Sequence, residues 1–191
     1  YSLVCFLLPG TVWLIWNKGM IADKAYKVRH IIWIYIYMFY GYLAVQEAAG
    51  IGTIWDLITY GKLDNSINLI PFSSEGAMTY ILNIIMFMPL GFLLPLIWKN
   101  FRNAKKVVLM GFLMSLAIEI CQLFNIRTTD IDDLMMNTLG TLVGYCCWKV
   151  FSLIFRNAGT KCVEMKKSEP VIYMFGGILG LFLLYNWRVF N

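Results

Sequence analysis

Six long apolar runs divide the chain, with short polar or basic segments between them. The runs cover residues 1–16, 30–49, 79–98, 107–126, 133–155 and 170–187. They are apolar all round rather than on one face, which is typical of helices that cross a lipid bilayer. A barrel strand would alternate apolar and polar residues instead. The pattern therefore predicts an all-α, polytopic membrane helix bundle with about six transmembrane helices.

The long interval between the second and third runs carries a weaker pattern. Four apolar residues recur there at helical spacing: Ile51, Ile54, Trp55 and Ile58. This period predicts a short amphipathic helix that lies in the membrane interface on the extracytoplasmic side. Residues 68–74, NLIPFSS, follow, and Pro71 breaks regular structure. That segment is either an ordinary surface loop or one that dips back toward the bundle.

Composition supports an integral membrane protein. Hydrophobic residues make up 60% of the chain and charged residues only 14%, and the mean hydropathy is +0.67. Soluble domains carry about 25% charged residues. The simplest organisation is one membrane domain over residues 1–191.

The basic residues are distributed unevenly between the two sides of the predicted bundle. Thirteen of the sixteen lie in the loops after the first, third and fifth runs or near the end of the fifth. The other three are Lys62, Arg127 and Arg188. Because basic loops stay cytoplasmic, both chain termini are expected to be extracytoplasmic. The net charge of +5 is thus a topology signal, and no nucleic-acid partner is expected.

The fourth and fifth runs meet at a short polar hinge, residues 127–132. So short a hinge makes the two helices antiparallel neighbours. Glu119 lies seven residues before the end of the fourth run, about 10 Å inside it at 1.5 Å per residue. An ionised carboxylate at that depth is costly and needs a partner. Ser115 and Gln122 share its helical face.

Polar residues of two other runs lie at the same level as Glu119. Asp133 and Asn137 are one turn apart at the start of the fifth run, and Asn83 is near the start of the third. We therefore expect a polar pocket between neighbouring helices that opens to the extracytoplasmic side. Simpler roles stay open: interhelical hydrogen bonds for the asparagines, helix capping for Asp130 and Asp132, and a protonated, hydrogen-bonded carboxyl for Glu119.

The charged residues leave two kinds of ligand open. Arg127 either pairs with a neighbouring aspartate or meets a phosphate or carboxylate. Glu119, Asp130 and Asp133 offer oxygen ligands for a hard cation such as Mg²⁺ or Ca²⁺. Zinc chemistry of the HExxH type is excluded because His30 is the only histidine.

Two further patterns concern packing. Gly140 and Gly144 are spaced by one helical turn, which permits close contact with a neighbouring helix. The five cysteines form no disulfide framework and are expected to be free thiols.

Three motifs occur in order: NLIPF at 68–72, NIIMFMPLGFLLP at 83–95, and a hinge region with ExxQ at 119–122, Arg127, DIDD at 130–133 and NTLG at 137–140. They resemble the VanZ-like family, which is associated with teicoplanin resistance. The resemblance covers residues 30–155, the expected VanZ-like core. It implies a small multi-pass protein of the bacterial cytoplasmic membrane. The family's polar positions fall on Asn68, Asn83, Glu119, Gln122, Arg127, Asp130, Asp133 and Asn137.

Three functions compete. In the first, the pocket binds an amphiphile of the cell envelope, either a lipid-linked wall precursor or a lipid-tailed glycopeptide, with membrane lipid around it. Asn68, Asn83, Gln122, Arg127, Asp130 and Asn137 would then be the ligand-binding residues. In the second, the protein is an intramembrane enzyme on such a substrate, with Glu119 and Asp133 as catalytic residues. In the third, it is a transporter of lipid or a small molecule in which Glu119 couples protons.

Overall fold

The computed structural model describes residues 1–17, 19, 24–60, 67–72, 76–124, 129–155 and 166–185. These residues form seven α-helices: α1 Ser2–Asn17, α2 Lys24–Tyr42, α3 Ile54–Tyr60, α4 Ala77–Ile97, α5 Ala104–Gln122, α6 Ile131–Ile154 and α7 Glu169–Leu184. A π-helical segment, Leu43–Ala49, continues α2, and a 3₁₀ turn, Lys99–Phe101, joins α4 to α5. The predicted all-α architecture is confirmed, and α3 lies where the amphipathic pattern predicts a short helix.

Local capping chemistry sets several helix ends. The Asn103 side chain accepts the backbone N–H of Lys105 at the start of α5, at 2.9 Å. Asp130 does the same for Asp132 at the start of α6, also at 2.9 Å. Pro170 occupies the first turn of α7, where its missing N–H costs nothing. The expected capping role of Asp130 is therefore present.

Length and hydropathy single out candidate membrane spans among the described helices. Two stretches, Lys27–Gln46 and Ala77–Ile97, are long and apolar enough to cross a bilayer. Helices α1 and α7 are apolar but have 16 residues each, about 24 Å at 1.5 Å per residue. Helices α5 and α6 differ from α1 and α7 because each contains several buried polar residues. Six crossings and the orientation of the termini stay predictions.

Helices α4 and α6 pack backbone against backbone. A Cβ added to Gly144 of α6 would collide with the main chain of Met88, and one added to Gly91 of α4 would collide with that of Thr141. Gly140 meets α4 in the same way. The small-residue spacing on α6 therefore serves α4, while α5 contacts α6 through Gly111.

The first and last helices pack together in antiparallel fashion. A Cβ on Gly180 would meet the main chain of Cys5, and one on Gly177 would meet the ring of Phe6. Further along, the rings of Trp13 and Tyr173 form an edge contact with centroids 5.4 Å apart. The two ends of the described chain thus lie side by side.

The bundle has two distinct ends. At one, α4 and α6 begin, α5 ends, and Ile67–Asn68 pairs in parallel with Thr129–Asp130; we call it the site end. At the opposite end, α4 connects to α5 through a basic segment, residues 99–106. Buried Glu169 accepts hydrogen bonds there from Trp98 Nε1 at 3.0 Å and the Tyr173 hydroxyl at 3.2 Å. His30 Nε2 lies 2.9 Å from the same carboxylate. These contacts join the starts of α2 and α7 to the end of α4.

Candidate functional site

A polar cavity of about 170 Å³ lies at the site end between α4, α5, α6 and the π-helical segment. Its lining residues are Ala48, Ala49, Thr79, Asn83, Met86, Ile118, Glu119, Gln122, Asp133 and Asn137. Five of the eight polar positions singled out from the sequence therefore converge on one cavity. These residues come together because α4 and α6 begin at the site end, where α5 ends.

Glu119 is buried in the wall that α5 contributes. Its Oε2 accepts the backbone N–H of Asp130 at 3.3 Å. A main-chain donor from the start of α6 therefore meets the carboxylate that the sequence places inside the fourth run. This bond connects the cavity wall directly to the hinge between α5 and α6.

The amide side chains around the cavity direct their NH₂ groups toward protein acceptors. Gln122 Nε2 donates to the carbonyl oxygen of Ala49 at 3.1 Å. Asn137 Nδ2 lies 2.9 Å from Ser115 Oγ, and Asn83 Nδ2 donates to Asp133 Oδ1. These bonds tie α5 to the π-helical segment and α6 to both α4 and α5. One hydrogen bond from each amide thus holds neighbouring elements together.

One polar atom of Asn137 makes no hydrogen bond within the described part of the chain. The residue is 3% exposed, and its Oδ1 is buried with no hydrogen-bond partner among the described residues. A buried acceptor left in that condition costs about 1–3 kcal/mol. A donor brought into the cavity would remove that cost, so this oxygen marks the cavity as a place for a polar group.

Asn68 and Asp130 lie beside the cavity rather than in its lining. Asn68 Nδ2 donates to Asp130 Oδ2 at 3.0 Å, next to the two-residue parallel pairing. Asp130 Oδ1 is the cap of α6. The pair fastens the NLIPF segment to the hinge, and the Asp130 main chain links both to Glu119. Arg127 lies outside the described residues.

Asp132 is the residue whose importance the sequence did not reveal. It is fully buried, accepts the backbone N–H of Phe72 on both carboxylate oxygens, and accepts the Tyr80 hydroxyl at 2.9 Å. Its position in the DIDD motif predicted only a cap. The side chains of Leu69 and Phe72 are 71% and 63% exposed, so this part of the segment does not dip into the bundle.

The carboxylates near the cavity make hydrogen bonds to protein donors. In the described ranges, no three His, Cys, Asp or Glu side chains converge to hold a metal ion. Of the three expected oxygen ligands, Asp130 uses its oxygens on Asn68 and on the start of α6. Asp133 receives the amide of Asn83. Asp130 and Asp133 therefore take part in hydrogen bonds that join neighbouring elements at the site end.

Comparison with known proteins identifies the family to which this chain belongs. The sequence profile of the VanZ/LLP1 family matches residues 27–153, about two thirds of the chain. The chain belongs to the VanZ/LLP1 family. Protein VanZ of Enterococcus faecium is 36% identical over 134 residues, which are 69% of this chain and 77% of that protein. No solved structure matches it.

The VanZ/LLP1 match contains the whole site. Every residue of the cavity lining lies between positions 48 and 137, inside the matched range. Helix α1 and helix α7 lie outside it. The resemblance drawn from the three motifs is confirmed, and the cavity belongs to the part of the chain that the VanZ/LLP1 family shares.

Proposed function

We propose that this protein binds an amphiphilic cell-envelope ligand at the outer face of the bacterial cytoplasmic membrane and thereby contributes to teicoplanin-type resistance. The ligand is a lipid-linked wall precursor or a lipid-tailed glycopeptide. The observation that carries the proposal is the polar cavity with the buried Glu119 carboxylate and the Asn137 Oδ1. Membership of the VanZ/LLP1 family supports the link to resistance.

The proposed orientation follows from charge. The basic residues between α4 and α5, and before α7, lie at the end opposite the cavity. Basic loops stay in the cytoplasm, so the site end faces outward with both termini. Six helices cross the membrane in this arrangement, and α3 lies in the outer interface. A ligand from the outer leaflet or the wall then reaches the cavity without crossing the membrane.

An apolar groove provides a place for the ligand's tail. It has a volume of about 460 Å³ between α5 and α6, begins at Ile131 beside the hinge and extends along α6 to Leu142. An acyl chain lying in it would bury apolar surface while the polar part of the same molecule stays near the site end. Only a ligand with both parts uses both features.

Drug susceptibility tests the proposal. The protein, expressed in a susceptible Gram-positive host, should raise the inhibitory concentration of teicoplanin severalfold and change that of vancomycin little, because only teicoplanin carries a lipid tail. Glu119→Gln and Asn137→Leu should lower this protection at equal amounts of membrane-inserted protein. Gly176→Ala, on α7 outside the cavity, is the matched control. Equal protection against both drugs would contradict the proposal.

A second candidate is an intramembrane enzyme. Glu119 and Asp133 line the same small cavity, as an acid and a base acting on one substrate would. Purified protein incubated with lipid II-type substrates, with and without EDTA, tests this candidate. A new product that wild type forms and Glu119→Gln does not would support it. Unchanged substrate with both proteins removes it for that class of substrate.

A further inference from the structure

The NLIPF segment displays a run of apolar side chains at the site end. Leu69, Ile70 and Phe72 are mostly exposed, Ile70 by 68%, and Pro71 between them is exposed as well. These four consecutive residues, which we call the 69–72 patch, present no polar side chain to their surroundings. Exposed apolar patches next to polar residues mark contacts with a membrane or with another protein.

The backbone of the 69–72 patch is suited to surroundings that contain little water. Ile70 N–H donates to Asn68 Oδ1 at 3.1 Å, and Phe72 N–H donates to both carboxylate oxygens of Asp132. Pro71 has no N–H. From Ile70 to Phe72, every backbone donor is therefore either absent or bonded to a side chain. A loop in water can leave its donors to the solvent, whereas a segment that lies against lipid has to satisfy them internally.

The 69–72 patch is also held firmly in its outward orientation. Besides the Asp132 contact, Asn68 Nδ2 donates to Asp130 Oδ2 at 3.0 Å, next to the two-residue parallel pairing. Phe72 has a φ of 61°, which aromatic residues rarely adopt. Such a conformation persists only where the surrounding structure fixes it. The fold thus keeps a large apolar side chain exposed although its backbone conformation is unfavourable.

The 69–72 patch adjoins the exposed apolar side of α4. That helix is long and apolar enough to cross a bilayer, and its side chains at Ile81 and Ile85 are at least half exposed. Met78, in its first turn, is 68% exposed. The Phe72 ring meets the ring of Tyr80 edge-on, with centroids 5.9 Å apart. The patch therefore extends a surface that contacts acyl chains when α4 spans the membrane, which favours lipid over a separate protein as its partner.

We propose that the 69–72 patch is a lipid-contacting surface. The side chains of Leu69, Ile70 and Phe72 enter the boundary between headgroups and acyl chains. The backbone stays at headgroup level, because lipid-exposed irregular backbone is not stable deeper in the hydrocarbon. This surface goes beyond the proposed function and requires only that the site end meets a bilayer, whichever leaflet that is. Because Asp130 connects the segment to Glu119, the contact would place the cavity at the boundary between lipid and water.

Photo-cross-linking tests the contact directly. The full chain with p-benzoylphenylalanine in place of Ile70 is irradiated in nanodiscs of phosphatidylcholine and phosphatidylglycerol. Mass spectrometry of the intact protein then detects an adduct with one phospholipid. Replacement of Ile85 gives the yield for a lipid-facing position, and replacement of Lys105, exposed in the basic connection, gives the yield for a water-facing one. The yield at position 70 should match that at position 85 and exceed that at position 105 severalfold.

Two results of this experiment would overturn the proposal. One is a lipid yield at position 70 no higher than at position 105. The other comes from the same protein irradiated in native membranes, where lipid adducts should again dominate. A discrete cross-linked product with another protein, formed there in place of the lipid adduct, would assign the 69–72 patch to a protein partner.

Polar substitution provides an independent measurement. Ile70→Gln brings an amide against lipid and should lower the melting temperature in nanodiscs by a few degrees. Ile70→Leu, the matched apolar control, should melt as wild type does. Equal melting temperatures for the two variants would contradict lipid contact, because a position that faces water tolerates glutamine. Lipid adducts without protection against teicoplanin reject the proposed function alone, and protection without lipid adducts rejects this proposal alone.

Discussion

The backbone N–H of Phe72 donates to both carboxylate oxygens of Asp132, at 2.9 Å each, across 60 positions of sequence. The Tyr80 hydroxyl completes the arrangement from the first turn of α4. One buried carboxylate thus holds the NLIPF segment, α4 and α6 together at the site end. Asp130, two residues earlier, binds Asn68 of the same segment and lies against Glu119. The segment and the cavity wall are therefore parts of one hydrogen-bonded structure.

Removal of the Asp132 carboxylate should destabilise the site end strongly. Asp132→Ala leaves the Phe72 N–H and the Tyr80 hydroxyl without their acceptor, and bonds to charged groups contribute about 1.5–3 kcal/mol each. We expect the free energy of unfolding to fall by about 3 kcal/mol or more, measured by denaturant titration in detergent. Tyr80→Phe removes the hydroxyl that donates to Asp132 and keeps the Phe72 bond, so it should cost less, about 1.5–3 kcal/mol. Equal losses for the two variants would show that Phe72 is not held through Asp132.

Phe72 adopts a left-handed backbone conformation, with φ of 61°. Aromatic residues rarely occupy this region, whereas glycine and asparagine do so readily. Phe72→Asn should therefore keep or raise stability despite losing the edge contact with the Tyr80 ring. Phe72→Val, which is β-branched, should lower stability by about 1–2 kcal/mol. The two melting temperatures, measured in the same detergent, test this order, and a more stable valine variant would contradict it.

The glycines between α4 and α6 should tolerate no side chain. Gly144→Ala would push a methyl group into the main chain of Met88, and overpacking of this kind costs about 1–3 kcal/mol. Gly176→Ala on α7 meets only the Cβ of Pro9 at 3.5 Å, an ordinary contact. That variant should be neutral or more stable by up to about 1 kcal/mol, because alanine favours the helix. Thermal unfolding of the pair under identical conditions measures the difference.

The buried hydrogen bonds of Glu169 at the opposite end should support the fold and leave ligand binding untouched. Glu169→Leu removes the acceptor shared by His30, Trp98 and Tyr173, and each buried donor left without an acceptor costs about 1–3 kcal/mol. His30→Gln retains a donor toward Glu169 and should cost less. At equal amounts of folded protein in the membrane, His30→Gln should protect against teicoplanin as wild type does. A lower level of protection at equal abundance would place this cluster in the function.

Much of the architecture is determined by local sequence. The apolar runs predict the six long helices because their length and uniform composition favour helices whatever surrounds them. The capping role of Asp130 follows from a polar side chain just before an apolar run. Glu119 is conspicuous because a carboxylate inside such a run is rare. These signals, with the short hinge, were sufficient to predict that Glu119, Gln122, Asp133, Asn137 and Asn83 come together.

The partners of these residues were decided only by the tertiary structure. Helices that are apolar all round carry little information on which face meets which neighbour, so the sequence did not reveal that Gly140 and Gly144 pack against α4. Asp132 is locally indistinguishable from a second cap, since its acceptor role depends on Phe72 lying nearby. Glu169 is buried because the starts of α2 and α7 meet the end of α4 in the folded protein. The hydrogen bond from Gln122 Nε2 to the carbonyl oxygen of Ala49 likewise depends on a partner that only folding brings within reach.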